Sequence, residues 1–131
     1  MRTCTWSPIM KIFLLTLLFF LSLNASPIPD DKKLIIVYME MEHCPWCHKM
    51  NRETMDNPKY KAQYEKEYIL AKITKESGDT PLFLFPKYYP TTYILSSDGS
   101  QVLDELPGYM ASERFVDYLH ELYTVEMQVE D

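Results

Sequence analysis

Five consecutive apolar residues, Leu34-Ile35-Ile36-Val37-Tyr38, end six positions before a closely spaced cysteine pair, Cys44-Pro45-Trp46-Cys47. A short, unbroken run rich in β-branched residues reads as a strand buried on both faces of a parallel or mixed sheet. From Pro45 the composition turns helical, with Trp46, His48, Lys49, Met50, Arg52 and Glu53 in succession. Proline suits a first helical turn, where its missing N–H is one the helix would leave unpaired anyway. A central strand therefore delivers Cys44 to the start of a helix, and few folds do this.

Residues 1–25 are read apart from the domain. Lys11 precedes an apolar run over residues 12–20 that only Thr16 interrupts, and the small residues Ala25 and Ser26 follow soon after. The apolar stretch ends at Leu23, short of the roughly 20 residues a membrane-spanning helix needs. Charge, apolar core and small residues in that order make a secretory signal, with cleavage near Ala25. Leu23 stands where a small residue would be preferred, so an uncleaved anchor is the alternative, and Met10 is an alternative start.

Residues 26–131 then make one small domain. Loss of Arg2 and Lys11 leaves eleven basic against nineteen acidic residues and takes the net charge from −6 to about −8. That balance argues against nucleic acid or an anionic membrane as partner. Cys4 leaves with the signal, so only Cys44 and Cys47 remain. A bridge across so short a loop removes little entropy from the unfolded chain. In an exported protein the pair is better explained by redox or metal chemistry than by stapling.

Further along, a helix is expected after Asn57-Pro58, with Tyr60, Tyr64 and Tyr68 four apart on one packing face. Residues 69–73 read as a strand and residues 77–81 as a loop. Residues 82–85, caught between Pro81 and Pro86, are expected to form a short helix. Residues 91–95 and 101–106 make a hairpin turned at Ser97-Asp98-Gly99-Ser100. A last helix starts at Ser112, read as its cap, with Phe115, Val116, Leu119 and Leu122 inward and residues 126–131 frayed. The order predicts an α/β domain, one mixed sheet covered by helices on both sides.

Residues 33–122 resemble thioredoxin-like periplasmic thiol:disulfide oxidoreductases, in particular the C-terminal domain of the Dsb-type membrane disulfide reductase. The resemblance rests on Cys44-Pro45-Trp46-Cys47 after a buried strand and on Cys47-His48-Lys49-Met50 running to Asp56-Asn57-Pro58. It rests also on Tyr89-Pro90-Thr91 opening a strand, on Asp98-Gly99, and on Gly108-Tyr109 before the last helix. It implies a thioredoxin fold and no cofactor, with a cis-proline at Pro90 opposite the disulfide and Tyr89 in contact with an extended substrate backbone. Trp46 and Tyr109 would form an apolar rim for a protein partner. The resemblance further implies protein disulfide substrates, among them apocytochromes c or sulfur-carrier proteins, and a membrane-bound thiol reductant as electron source for a monomeric domain. One departure is plain: the family's buried acid, six residues before the first cysteine, is here Tyr38. Glu40 and Glu42 are the candidate substitutes, although each reads more readily as a solvated loop charge.

The chemistry follows from the spacing. At a helix start the unpaired N–H groups favour a thiolate, so Cys44 is expected to attack, its thiol held below the free value by the helix and by Pro45 leaving that end open. Cys47, one turn inside, would resolve the mixed disulfide. Two other readings use the same residues. Cys44-Pro45-Trp46-Cys47-His48 matches the attachment pattern for c-type haem, which a mostly helical chain would carry. His43, Cys44, Cys47 and His48 could be metal ligands, although from a helix start they do not easily surround one ion. A redox-inactive binding module on the same fold is the third alternative.

Overall fold

Leu34–Glu40 forms β1, the centre of a four-stranded sheet with strand order β2-β1-β3-β4. The computed structural model describes Pro8, Ile9 and residues 32–129, so the rest of the signal read over residues 1–25 lies outside the described residues. β1 pairs in parallel with β2 (Tyr68–Thr74) and antiparallel with β3 (Thr91–Leu95). β3 turns into β4 (Val102–Pro107) through the expected hairpin. With partners on both sides, β1 buries nearly every residue, which is why its sequence is apolar without alternation.

Successive β1 residues point to opposite faces. Leu34, Ile36 and Tyr38 face the helices: α1 (Pro45–Met50), a wider-wound turn over Asn51–Met55, α2 (Pro58–Tyr64) and α3 (Ser112–Val129). Met50, Met55, Tyr64, Phe115, Val116 and Leu119 complete that core. Val37 and Met39 face the other way and pack with Leu84, Tyr93 and Leu95.

That second face corrects an expectation. Residues 82–85 make a turn, closed by the Leu84 N–H on the Pro81 carbonyl at 3.0 Å, and not a helix. Four residues between prolines cannot continue helical hydrogen bonding, and Phe85 is held out of the helical region by Pro86. Among the described residues the helices therefore cover one face, and the loop after a short turn at Lys75–Ser77 crosses the other.

Three further expectations change. Tyr68 is not on the helix with Tyr60 and Tyr64; α2 ends at Tyr64, and Tyr68 opens β2. The two buried tyrosines still share one core, Tyr64 donating its hydroxyl to the Met55 carbonyl at 2.7 Å and Tyr68 to the Leu119 carbonyl at 2.6 Å. Ser112 does not cap α3, because the Ala111 carbonyl takes the first helical bond, from the Phe115 N–H. The Ser112 hydroxyl instead donates to the Glu53 carbonyl at 3.0 Å and meets Thr54 Oγ1 at 2.6 Å. Finally, α3 runs on to Val129 where fraying was expected, since Met127 still packs on the core.

Candidate active site

Cys44 is the residue before α1, with extended backbone (φ −106°, ψ 101°), and Pro45 opens the helix. The chain reaches this point through His43, whose φ of 53° is left-handed. Cys44 and Cys47 are joined in a disulfide with their Cα atoms 5.2 Å apart. The Cys47 N–H donates to the Cys44 sulfur at 3.2 Å, so one of the unpaired N–H groups of the helix start is spent on that sulfur. Cys44 keeps 3% of its surface exposed and Cys47 none.

The Tyr89–Pro90 peptide bond is cis, and the Tyr89 carbonyl oxygen lies 3.7 Å from the Cys44 sulfur. The Gly108 N–H, at a φ of 83° that suits glycine, donates to the Pro90 carbonyl at 2.7 Å. This ties the Pro90 loop to the segment carrying Tyr109. Trp46, Tyr89, Pro90, Gly108 and Tyr109 line a cavity of about 360 Å³ beside the disulfide. The structure thus brings together Trp46, Tyr89, Pro90 and Tyr109, the residues for which the resemblance implied contact with a substrate or partner.

Two charged residues in this group were missed. Lys49 Nζ lies 5.2 Å from the Trp46 ring and 4.7 Å from that of Tyr109, while the two rings lie 5.5 Å apart at 45°. The Glu53 carboxylate accepts the Tyr109 hydroxyl, which raises the tyrosine's pKa first through that bond and then through burial. Lys49 stands three residues after Trp46, a helical neighbour spacing legible in advance; Glu53 meets Tyr109 only through the tertiary fold.

Glu40 and Glu42 diverge. Asn51 Nδ2 donates to the Glu40 carboxylate at 2.5 Å, and both residues line a cavity of about 290 Å³ with Met41, Glu42, His48 and Thr74. Glu42 is exposed, its backbone N–H on the Glu76 carboxylate at 3.1 Å. Tyr38, where the family carries an acid, is fully buried and donates its hydroxyl to the Cys47 carbonyl at 3.3 Å. Burial above all, then Glu40 and Asp56, pushes its phenol well above the ordinary value. Among the described residues, no cluster of three or more His, Cys, Asp or Glu side chains could hold a metal ion.

Residues 25–123 match the family model of the thioredoxin-like domain. The chain belongs to that family. No curated protein sequence matches it significantly. Solved structures share its fold. A thioredoxin-fold protein from Helicobacter pylori has a TM-score of 0.63 at 13% identity, over 75% of this chain and 73% of that one. The C-terminal domain of Neisseria meningitidis DsbD, in its reduced form, has a TM-score of 0.50 at 17% identity, over 84% and 95%. The periplasmic thioredoxin SoxS of Paracoccus pantotrophus, also reduced, has a TM-score of 0.51 at 17% identity, over 70% and 97%.

A thioredoxin-like domain whose Cys-x-x-Cys pair closes a disulfide at a helix start supports thiol:disulfide exchange as its chemistry. The sheet-centred fold is also the opposite of the mostly helical chain that a haem reading of Cys44, Cys47 and His48 called for. None of the helices in the described residues is long and apolar enough to cross a membrane.

Proposed function

We propose that this thioredoxin-like domain, residues 26–131 after removal of a signal over residues 1–25, reduces disulfides of exported proteins, in the periplasm or an equivalent compartment. Cys44 is the attacking thiol and Cys47 the resolving one. The observation that carries the assignment of roles is the Cys47 N–H donated to the Cys44 sulfur at the helix start, while the reducing direction rests on the resemblance to the Dsb-type reductase domain. A hydrogen bond of that kind favours the thiolate over the thiol, and among the described residues no N–H is donated to the Cys47 sulfur.

In the reduced domain, the Cys44 thiolate attacks one sulfur of a substrate disulfide and expels the other as thiolate. A mixed disulfide forms. Cys47 then gives up its proton and attacks the Cys44 sulfur, which releases the second substrate sulfur and closes the Cys44–Cys47 bond. The substrate gains two electrons and two protons, and the domain is left oxidised. A membrane-bound thiol reductant restores it by the same two exchanges in reverse.

The remaining residues serve these steps. Tyr89 and Pro90 hold the substrate backbone against Cys44, and Trp46 and Tyr109 wall the cavity that receives the side chain beside its cysteine. Pro45 keeps the first turn open to the thiolate. Tyr38 stays protonated in the working pH range and so does not take the Cys47 proton. Glu40 is two residues further along the same strand face, held by Asn51, and is the acceptor; Glu42 opposes the thiolate from the loop. The domain works as a monomer.

The test is a Cys47→Ser variant, in which mixed disulfides with partner proteins should accumulate on Cys44. Trapping that needs Cys47 and tolerates loss of Cys44 would reverse the roles. A reduced domain that exchanges with no protein disulfide at all would leave it a redox-inactive binding module.

A further inference from the structure

The loop that replaces a helix over the second sheet face turns its apolar side chains outward. Only Leu84 goes inward, 3% exposed against Val37, Met39, Tyr93 and Leu95. Around it Leu82 is 92% exposed, Phe83 54%, Phe85 76% and Tyr88 66%. Large apolar side chains grouped on a surface mark a contact site. The group runs without a break in sequence into Tyr89 and Pro90, which wall the cavity beside the disulfide.

We propose that Leu82, Phe83, Phe85 and Tyr88 form a docking surface for an apolar segment flanking the disulfide of the protein substrate. The proposal rests on the exchange reading above and adds what the substrate looks like. A partner whose sulfur meets Cys44 lies over Tyr89, because the Tyr89 carbonyl is 3.7 Å from that sulfur. Tyr88, exposed, is the chain neighbour of Tyr89, and the exposed phenylalanines precede it. Charge favours this occupant over two others. Residues 81–88 carry a single charge, Lys87, in a chain of net charge −6. An anionic lipid surface repels such a protein, and apposing two copies brings like charge together, whereas a neutral apolar segment meets neither penalty.

The experiment compares two synthetic disulfide-linked peptides, one with Leu and Phe beside its cysteines and one with Ser in the same places. The reduced domain should prefer the apolar peptide in kcat/KM. In a Phe83→Ser/Phe85→Ser variant that preference should fall about tenfold, mainly through KM, the scale set by burying one or two such side chains. If that variant does not fold, Leu82→Ser/Tyr88→Ser serves in its place. A wild-type domain that exchanges with neither peptide sinks the exchange reading itself. Equal use of both peptides, or a preference that survives the substitutions, overturns the docking surface and leaves exchange standing. Sedimentation and flotation with phosphatidylglycerol vesicles supply the other arms. A dimer or a lipid association that the substitutions abolish, with peptide preference retained, would assign the surface to a second copy or to a membrane and overturn the proposal.

Discussion

The hydroxyl of Tyr38 donates to the carbonyl oxygen of Cys47 at 3.3 Å, from a side chain with no exposed surface. A neutral phenol thus occupies the position from which thioredoxin-like proteins usually serve the resolving cysteine with an acid. Tyr38→Phe should lower stability by about 1 kcal/mol, the net worth of one buried hydrogen bond, read as a shift of the urea midpoint at unchanged slope. Tyr64 and Tyr68 are also pushed above the ordinary phenol value, by burial first and then by neighbouring charge, led by Glu65 and Glu67 respectively. A raised folded pKa means stability is intact below the unfolded value, near pH 10, and is lost as pH climbs beyond it. Spectrophotometric titration should therefore find these three tyrosines ionising only together with unfolding. Their ionisation in a folded domain near pH 10 would show the burial to be wrong.

Redox poise follows from the charges around Cys44. Under the proposed roles, the helix start and the positive charge of Lys49, seated over Trp46, would favour the thiolate, and Glu40 and Glu42 would oppose it. The expected potential lies between the roughly −270 mV of thioredoxin and the −120 mV or so of the strongest disulfide donors, nearer the former. Trp46 is the one tryptophan of residues 26–131, so its fluorescence against a dithiothreitol or glutathione buffer reports the midpoint directly. Lys49→Met should move the midpoint in the reducing direction by less than about 30 mV, one decade in the exchange constant, because the cation is partly solvated. A midpoint close to −120 mV would make the domain a disulfide donor.

His43 holds a φ of 53° at the bend into α1. A side chain there costs about 1–2 kcal/mol, partly offset by the entropy glycine loses on folding. His43→Gly is expected to raise stability by about 0.5 kcal/mol, and His43→Val to lower it by about 1 kcal/mol. Chemical denaturation of both variants checks the sign; a less stable glycine variant would mean that the imidazole makes a contact worth more than the strain.

The hairpin predicts an acid-side effect. The Asp98 carboxylate accepts the Ser96 and Ser100 hydroxyls, at 2.6 and 2.8 Å, and the Ser100 N–H, at 3.0 Å. The Ser96 hydroxyl bond, followed by those from Ser100, lowers its pKa to about 2. For a depressed carboxylate the stabilisation is present above the unfolded pKa and disappears as pH falls through the folded one. The melting-temperature gap between wild type and Asp98→Asn should therefore be full at neutral pH and close between about pH 4 and 2. A gap that persists unchanged at pH 2 would assign the effect to something other than the charge.

What the sequence made legible was local. The run from Leu34 to Tyr38 needed only its β-branched, unalternating composition to be read as a central strand, and Asp98-Gly99 only its turn chemistry. Cys44 at a helix start followed from Pro45 behind it. The misreadings concern partners far along the chain. Tyr68 fits a helical repeat with Tyr64 on paper, yet its hydroxyl answers to Leu119, 51 residues away. Ser112 has the chemistry of a cap, but Glu53 and Thr54 compete for its hydroxyl more than fifty residues distant. The second face reads as helix-covered because residues 82–85, between Pro81 and Pro86, read as a short helix, and the same prolines leave them a turn. Glu53 beside Tyr109 left no local trace at all.

The bonds that Ser112 makes to Glu53 and Thr54 have a mechanical side. They rivet the segment following α1 to the foot of the last helix, while the Gly108 N–H fastens the Pro90 loop to the same region. The frame around the two sulfurs is braced from behind and from above. None of these ties involves either sulfur, so breaking the Cys44–Cys47 bond removes none of them. A domain that works by disulfide exchange also has to release its product. It lets go because a covalent bond has gone, and the contacts that remain must be weak enough to part unaided.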